Sequence, residues 1–203
     1  MLEPSRLILG SGSRARYEIL KSAGLAFTVL PADIDEVAVR DALLSDNENI
    51  DPVDVAEVLA RVKGEAVSAE NPDNLIIAAD QVLALGSEIF TKADNIESAR
   101  ETLKRLRGKT HQLHSAVVLA EDGEVTWAHV ETADLTMRDF STTFLSEYLV
   151  KSGDAVCQSV GGYQLEGLGV QLFEKVDGDY FTILGLPLFP LLAELRRRGF
   201  LTS

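Results

Sequence analysis

With one cysteine, Cys157, in 203 residues, the chain has no internal disulfide. That fits a reducing compartment and excludes a disulfide-stapled secreted scaffold. No histidine stands near Cys157 in the sequence, so the thiol reads as a small core group rather than an activated nucleophile. Long apolar runs are missing too. The longest, residues 75–79 and 182–192, are too short or too interrupted to cross a bilayer. The amino end shows no basic stretch leading into a cleavable apolar segment, and the expected location is the cytoplasm. Cations are scarce: 19 Lys and Arg face 32 Asp and Glu, for a net charge of −13. The far field of such a protein repels nucleic acid and anionic membranes, so neither is an expected partner. An anionic small ligand would depend on a few converging cations and on bound metal. The three histidines lack metal-ligand spacing, and His111 and His114 fall on opposite faces of one expected strand.

What is present is a hydrophobic fraction of 46%, enough for one large domain or two tightly joined lobes. A short apolar strand at residues 7–9 leads into a helix over 14–23, with Ser13 as its N-cap and Gly24 just past its end. A second strand covers 27–30. Residues 37–50 are polar and weakly patterned and read as a loop with a helical turn. Asp51 caps the next helix, with Pro52 in its first turn and Val55, Leu59, Val62 and Ala66 as its apolar stripe. Residues 75–79 are an unbroken apolar strand ending at Asp80, and 81–90 a hairpin turning at Gly86-Ser87. A helix with Ile96, Ala99, Leu103 and Leu106 on its inner face follows. Residues 111–120 and 124–137 pair across Asp122-Gly123, a strong turn signal. Ser141 caps another helix, and the glycine-rich stretch 161–169 is irregular. Strands at 170–176 and 180–184 flank Asp177-Gly178, and a last helix runs from Pro187 to about Arg198. Alternating helices and strands predict an α/β protein with a mixed sheet.

Several positions carry chemistry. Residues 10–16, Gly-Ser-Gly-Ser-Arg-Ala-Arg, lie between a strand and a helix. They bring backbone N–H groups, the hydroxyls of Ser11 and Ser13 and guanidinium charge to one point, as an oligophosphate requires. Read alone, the same residues also make an ordinary turn, and they match neither the P-loop nor the dinucleotide glycine pattern. Asp80 is placed to hold a divalent cation or orient water, or else to cap a turn. Asp33, Asp35 and Glu36 offer hard oxygen ligands or a solvated acidic loop. Lys63 flanks an apolar stripe, where a lysine ordinarily reaches out to solvent. Lys92 falls in a loop before a helix.

Taken in order, these segments resemble the Maf family of nucleoside triphosphate pyrophosphatases. The matching stretches are LILGSGSRAR at 7–16, DIDE at 33–36, LARVKGEAV at 59–67, LIIAADQV at 75–82 and TK at 91–92. LRGKTHQL at 106–113, YQLEG at 163–167 and VDGDYFTILGLPL at 176–188 complete the series. The resemblance implies one such domain over residues 1–203, elongated and two-lobed, with a central mixed sheet flanked by helices and a cleft between lobes, in a homodimer. It implies cleavage between the α and β phosphorus atoms of a nucleoside triphosphate with Mg²⁺ or Mn²⁺. Residue by residue, Ser11, Ser13 and Arg16 match the family's phosphate-binding Ser-x-Ser-x-x-Arg, Lys63 the lysine of its second helix and Lys92 its Gly-Lys lysine. Glu36 matches the acid ending its Asp-x-Asp-Glu and Asp80 its proton acceptor; the mechanism expected from them has Lys63 and Lys92 neutralise β and γ charge and Asp80 and Glu36 hold the divalent metal. Ala15, Gln81 and Glu166 match positions tied to base choice. Gln81 and Glu166 agree with the 7-methyl-GTP branch, whereas Ala15 lacks that branch's aromatic. Arg14 and Ala93 each stand where the family usually has proline. Two other readings are a dTTP and UTP pyrophosphatase of the same family and a nucleotide-binding regulator of cell division.

Overall fold

The computed structural model describes residues 6–47 and 50–202. In chain order its elements are β1 (Leu7–Leu9), α1 (Arg14–Ser22), β2 (Thr28–Val29), α2 (Glu36–Asp46), α3 (Pro52–Glu70), β3 (Leu75–Leu85) and β4 (Glu88–Phe90). Then come α4 (Ile96–Leu106), β5 (Thr110–Glu121), β6 (Glu124–Met137), α5 (Thr142–Ser152), β7 (Phe173–Asp177), α6 (Tyr180–Ile183) and α7 (Leu188–Arg197). Caps set most helix starts. The side chains of Ser13, Asp35, Asp51, Asn95, Ser141 and Asp179 each accept a backbone N–H from the first turn that follows. The β5–β6 hairpin turns at Asp122 and Gly123, both with positive φ (51° and 81°), as a two-residue primed turn demands.

The seven strands of the described residues form one open mixed sheet in the order β2-β1-β3-β5-β6-β7, with β4 also paired to β3. β1 runs parallel to β2 and β3, and every other pairing is antiparallel. β3 organises the molecule. One of its edges is covered by β5 from Ile76 to Ala84. Its other edge meets β1 at residues 75–77 and β4 at residues 83–85, which leaves 78–82 on that edge without a strand partner among the described residues. Alternate residues of β3 serve different layers. Ala78 and Val82 pack with Val55, Ala56, Leu59 and Ala60 of α3. On the opposite face, Ile77 and Ala79 join a core with Ile19, Leu20, Leu191 and Leu195. Further along that face, Leu83 joins a separate core with Leu103, Leu106, Leu145 and Leu149. Two lobes thus share one sheet, and Gln81 stands on the strand between them.

Five expectations need correction. The apolar strand does not end at Asp80: β3 runs through it to Leu85, because Val82, Leu83 and Ala84 are as buried as residues 75–79. The stretch expected as a loop from residue 37 is α2 up to Asp46, with Asp35 as cap and Val39 and Leu43 laid against the α3 core; residues 48 and 49 lie outside the described residues. The segment 180–184 is the short helix α6, because Asp179 caps it. The strand expected at 170–176 begins only at Phe173, after a 3-10 turn at Leu168–Leu172. The buried face of α3 is also rotated from the expected stripe. Lys63, Gly64 and Val67 lie inward, while Val62 and Ala66 are half-buried.

Candidate active site

Three of the buried charged side chains lie near the edge of β3 between β1 and β4, the fourth, Glu194, being on α7. Lys63 and Asp80 are 7% exposed each, and Arg16 is 8% exposed. Lys63 is inside the packed face of α3 rather than beside it. The helix comes close to the sheet because Gly64 follows: a Cβ there would stand 3.0 Å from Val118 Cγ2. From that position Lys63 Nζ donates to Asp80 Oδ1 at 2.5 Å and lies 3.0 Å from Glu36 Oε1. Glu36 reaches it from the first turn of α2, with its side chain 47% exposed. Helix, strand and second helix therefore meet in one carboxylate–ammonium–carboxylate cluster.

On the Gln81 side of β3, the turn after β1 wraps around Arg16. Ser11 Oγ accepts from the Ser13 N–H at 3.3 Å and from Arg16 Nη1 at 3.0 Å, while Ser13 Oγ accepts from the Arg16 N–H at 3.4 Å. Arg16 Nε donates to the carbonyl of Gly185 at 2.8 Å. Gly185 has φ of +95°, and a Cβ there would sit 3.4 Å from Arg16 Nη2 and 3.7 Å from Gln81 Cδ. Burial pushes the Arg16 guanidinium below its ordinary pKa, and the charges of Asp80 and Glu36 offset only part of that. Arginine stays protonated throughout, with five N–H donors, of which two are used in these side-chain bonds.

Gln81 ties the two lobes to this loop. Its Nε2 donates to Ser115 Oγ (2.9 Å), the Thr182 carbonyl (3.1 Å) and the Ile183 carbonyl (3.0 Å). Ser115 Oγ in turn donates to the Thr182 carbonyl at 2.7 Å, and Thr182 Oγ1 donates to Glu131 Oε2 at 2.5 Å. The carbonyls of residues 182, 183 and 185 thus act as one receiving edge for Arg16, Gln81 and Ser115. The sequence reading missed Ser115, Thr182, Glu131 and Gly185. A lone serine within the apolar run of β5 was the available signal for Ser115.

The structure thus brings together Ser11, Ser13, Arg16, Glu36, Lys63, Asp80 and Gln81. Ala15 is half-buried at the start of α1. Lys92 is exposed between β4 and α4, and Glu166 is exposed in the turn 164–167, closed by the Gly167 N–H on the Gln164 carbonyl at 3.1 Å. Among the described residues, no hydrogen bond or ion pair joins Ala15, Lys92 or Glu166 to the buried cluster. The histidines stay outside it as well. His111 Nε2 meets the Tyr163 hydroxyl at 2.7 Å, and His114 Nδ1 meets Thr132 Oγ1 at 2.8 Å. Cys157 packs against the core of the second lobe.

The donor set suits a small hard cation only in part. Asp80 and Glu36 converge on one point, but no group of three or more His, Cys, Asp or Glu side chains fit to hold a metal occurs among the described residues. Two carboxylates fit the habit of Mg²⁺, which takes one or two from protein and the rest from water and substrate phosphates. No helix among the described residues is long and apolar enough to cross a membrane.

A family model described as "Maf-like protein" matches residues 6–198. The "7-methyl-GTP pyrophosphatase" of Brucella abortus biovar 1 (strain 9-941) is 53% identical over 192 residues, covering 95% of this chain and 96% of the relative. A protein of the same name from Rhizobium etli is 49% identical over 194 residues, 96% of each chain. The "Nucleoside triphosphate pyrophosphatase" of Paramagnetospirillum magneticum is 51% identical over 192 residues, 95% of this chain and 98% of the relative.

Proposed function

The chain belongs to the Maf-like proteins, and from that premise we propose that it is a nucleoside triphosphate pyrophosphatase. It splits the anhydride between the α and β phosphorus atoms and releases a nucleoside monophosphate and pyrophosphate. The observation that carries this reading is the cluster of Lys63, Asp80 and Glu36, whose carboxylates also act on the charge of Arg16 in the Ser11–Arg16 turn. In a protein of net charge −13, two buried cations at one place suit a polyanion.

In this reading, Ser11, Ser13, the N–H groups at the start of α1 and the spare donors of Arg16 bind the phosphates. Lys63 and Lys92 neutralise charge on the β and γ groups. In the nucleotide-free site Asp80 gives Oδ1 to the Lys63 cation, which leaves Oδ2 as the oxygen to receive a water. The carboxylate takes that water's proton as its oxygen attacks the α phosphorus in line, and the bond to the bridging oxygen breaks to free pyrophosphate. Asp80 and Glu36 would hold a magnesium or manganese ion, which supplies Lewis-acid neutralisation of phosphate charge. The names of the Brucella and Rhizobium relatives, with Gln81 and Glu166 in place, support a guanine-type base such as 7-methyl-GTP. A homodimer and a cytoplasmic site of action complete the proposal, resting on the family resemblance and on the single cysteine.

The test is incubation with 7-methyl-GTP, GTP, UTP and dTTP in the presence of magnesium, followed by a pyrophosphate assay. Release of one pyrophosphate per nucleotide is expected. Binding without turnover would instead favour a nucleotide-binding regulator.

A further inference from the structure

We propose that the Lys63 ammonium is the resident occupant of the cation seat between Asp80 and Glu36, and that a divalent ion takes the seat only when nucleotide phosphates draw Lys63 away. The inference rests on the cation assigned to that site above. Its basis is a conflict of position. Nζ lies 2.5 Å from Asp80 Oδ1 and 3.0 Å from Glu36 Oε1, so one cation already touches both carboxylates. Magnesium would need the same oxygens at about 2.0–2.1 Å. An ammonium and a divalent ion cannot share that space.

Burial and charge set the order of events. The side chains of Lys63 and Asp80 are 9% and 10% exposed, so an ammonium displaced without a new partner would be left nearly buried and unpaired. Arg16 is not the stand-in: its bonds to Gly185 and Ser11 anchor the guanidinium in the turn, and among the described residues it donates to neither carboxylate. Without nucleotide, two carboxylates face two cations and the site is balanced. A divalent ion entering alone would add two positive charges beside Lys63 and Arg16, which is repulsive at short range. A triphosphate reverses the sign of that balance and offers Lys63 oxygens of its own. Metal and nucleotide therefore enter together, and the empty enzyme holds metal poorly. Lys63 serves two states: it neutralises the carboxylates before binding and the phosphates after it.

The experiment reads Mn²⁺ binding by electron paramagnetic resonance on nucleotide-free protein, which needs no turnover. Wild type is expected to leave Mn²⁺ largely free. Lys63→Met, which removes the competing charge but keeps an unbranched apolar stem, should bind it roughly tenfold tighter or better. Wild type binding Mn²⁺ as tightly as the variant would overturn the proposal. Where Lys63→Met fails to fold, Lys63→Gln removes the charge while keeping a donor for Asp80, and the same comparison applies. No gain of Mn²⁺ affinity in a folded variant also sinks the idea. A wild type that still releases pyrophosphate with magnesium then leaves the enzymatic reading standing, so the two failures are distinct.

Discussion

Arg16 Nε donates to the carbonyl of Gly185, a residue 169 positions further along the chain, at 2.8 Å. That single contact joins the turn after β1 to the turn after α6, and it gives Arg16 two tasks. It faces the candidate phosphate site and also holds the site's far wall.

Arg16→Ala should therefore both destabilise the protein and weaken substrate binding. Hydrogen bonds from a charged donor contribute about 1.5–3 kcal/mol, and the bonds to Gly185 and Ser11 are both lost. Lys92→Ala makes the contrast. Lys92 is exposed and makes no hydrogen bond or ion pair with the described residues, so its loss should change stability by less than about 0.5 kcal/mol. Urea unfolding and KM measured on both variants separate the two roles. A Lys92→Ala enzyme with unchanged KM would remove Lys92 from the phosphate map.

Asp80→Asn should cost ~10²–10⁴-fold in kcat, the usual loss for a positioned base. Asparagine keeps an acceptor oxygen for Lys63, and Glu36 stays 3.0 Å from the ammonium. The buried charge is then not left bare, and the loss of stability should stay below the ~3–5 kcal/mol of a fully broken buried pair. Pyrophosphate release and circular dichroism on the same preparation check both halves. Turnover within a few-fold of wild type would displace Asp80 from its role.

Acid should weaken the fold through His111, a residue 1% exposed whose pKa burial pushes from 6.5 down to about 4. In the unfolded chain this histidine takes up a proton near its ordinary value. In the folded chain it does so only near the lower one. Between the two the unfolded state binds more protons, so stability falls as pH drops from 6.5 to about 4. A shift of that size amounts to roughly 3 kcal/mol. Burial lowers His114 as well, which adds in the same direction. Glu194 acts lower still: hydrogen bonds, that from Arg197 first, hold it at about 2, so its contribution is lost as pH falls from 4.5 toward that value. Urea unfolding near neutral pH and at about pH 4.5 should show the drop. His111→Gln, which offers Tyr163 a polar partner without titrating in this range, should flatten most of it.

The sequence made the strand, helix and turn sites legible wherever local chemistry decides them. Ser13, Asp51 and Ser141 are caps that work within one turn, and Asp122-Gly123 is a two-residue hairpin whatever surrounds it. Elements decided by tertiary contact were harder to see. α2 has no buried residue, so its apolar pattern is faint, and its cap and its contact with α3 hold it. α6 has four residues, too few for periodicity to show. At the site, the resemblance singled out Lys63, Glu36 and Asp80 separately, but their meeting at one point depends on how closely α3 approaches β3. Gln81 is a further case. Its tie to the carbonyls of residues 182 and 183 crosses a sequence separation that no local pattern encodes.

Glu166 should make guanine-type bases the preferred substrates, and Glu166→Gln should shift preference toward uracil or thymine. The carboxylate stands exposed at the turn 164–167 and makes no hydrogen bond or ion pair with the described residues, so it is free to receive a ligand. Guanine offers adjacent donors, N1–H and the exocyclic amine, and a carboxylate accepts from both. Methylation at N7 places positive charge on the ring and strengthens that contact. Uracil and thymine carry one N3–H between two carbonyl oxygens, so a carboxylate meets at least one of those oxygens in repulsion. Glutamine can accept from N3–H and donate to a carbonyl. Stability should barely move, because an exposed turn residue without a partner supports nothing else. The measurement is kcat/KM for 7-methyl-GTP, GTP, UTP and dTTP with both proteins. A wild type that prefers UTP or dTTP, or a variant whose profile is unchanged, would remove Glu166 from base reading and leave Ala15 and Gln81 as the remaining positions to test.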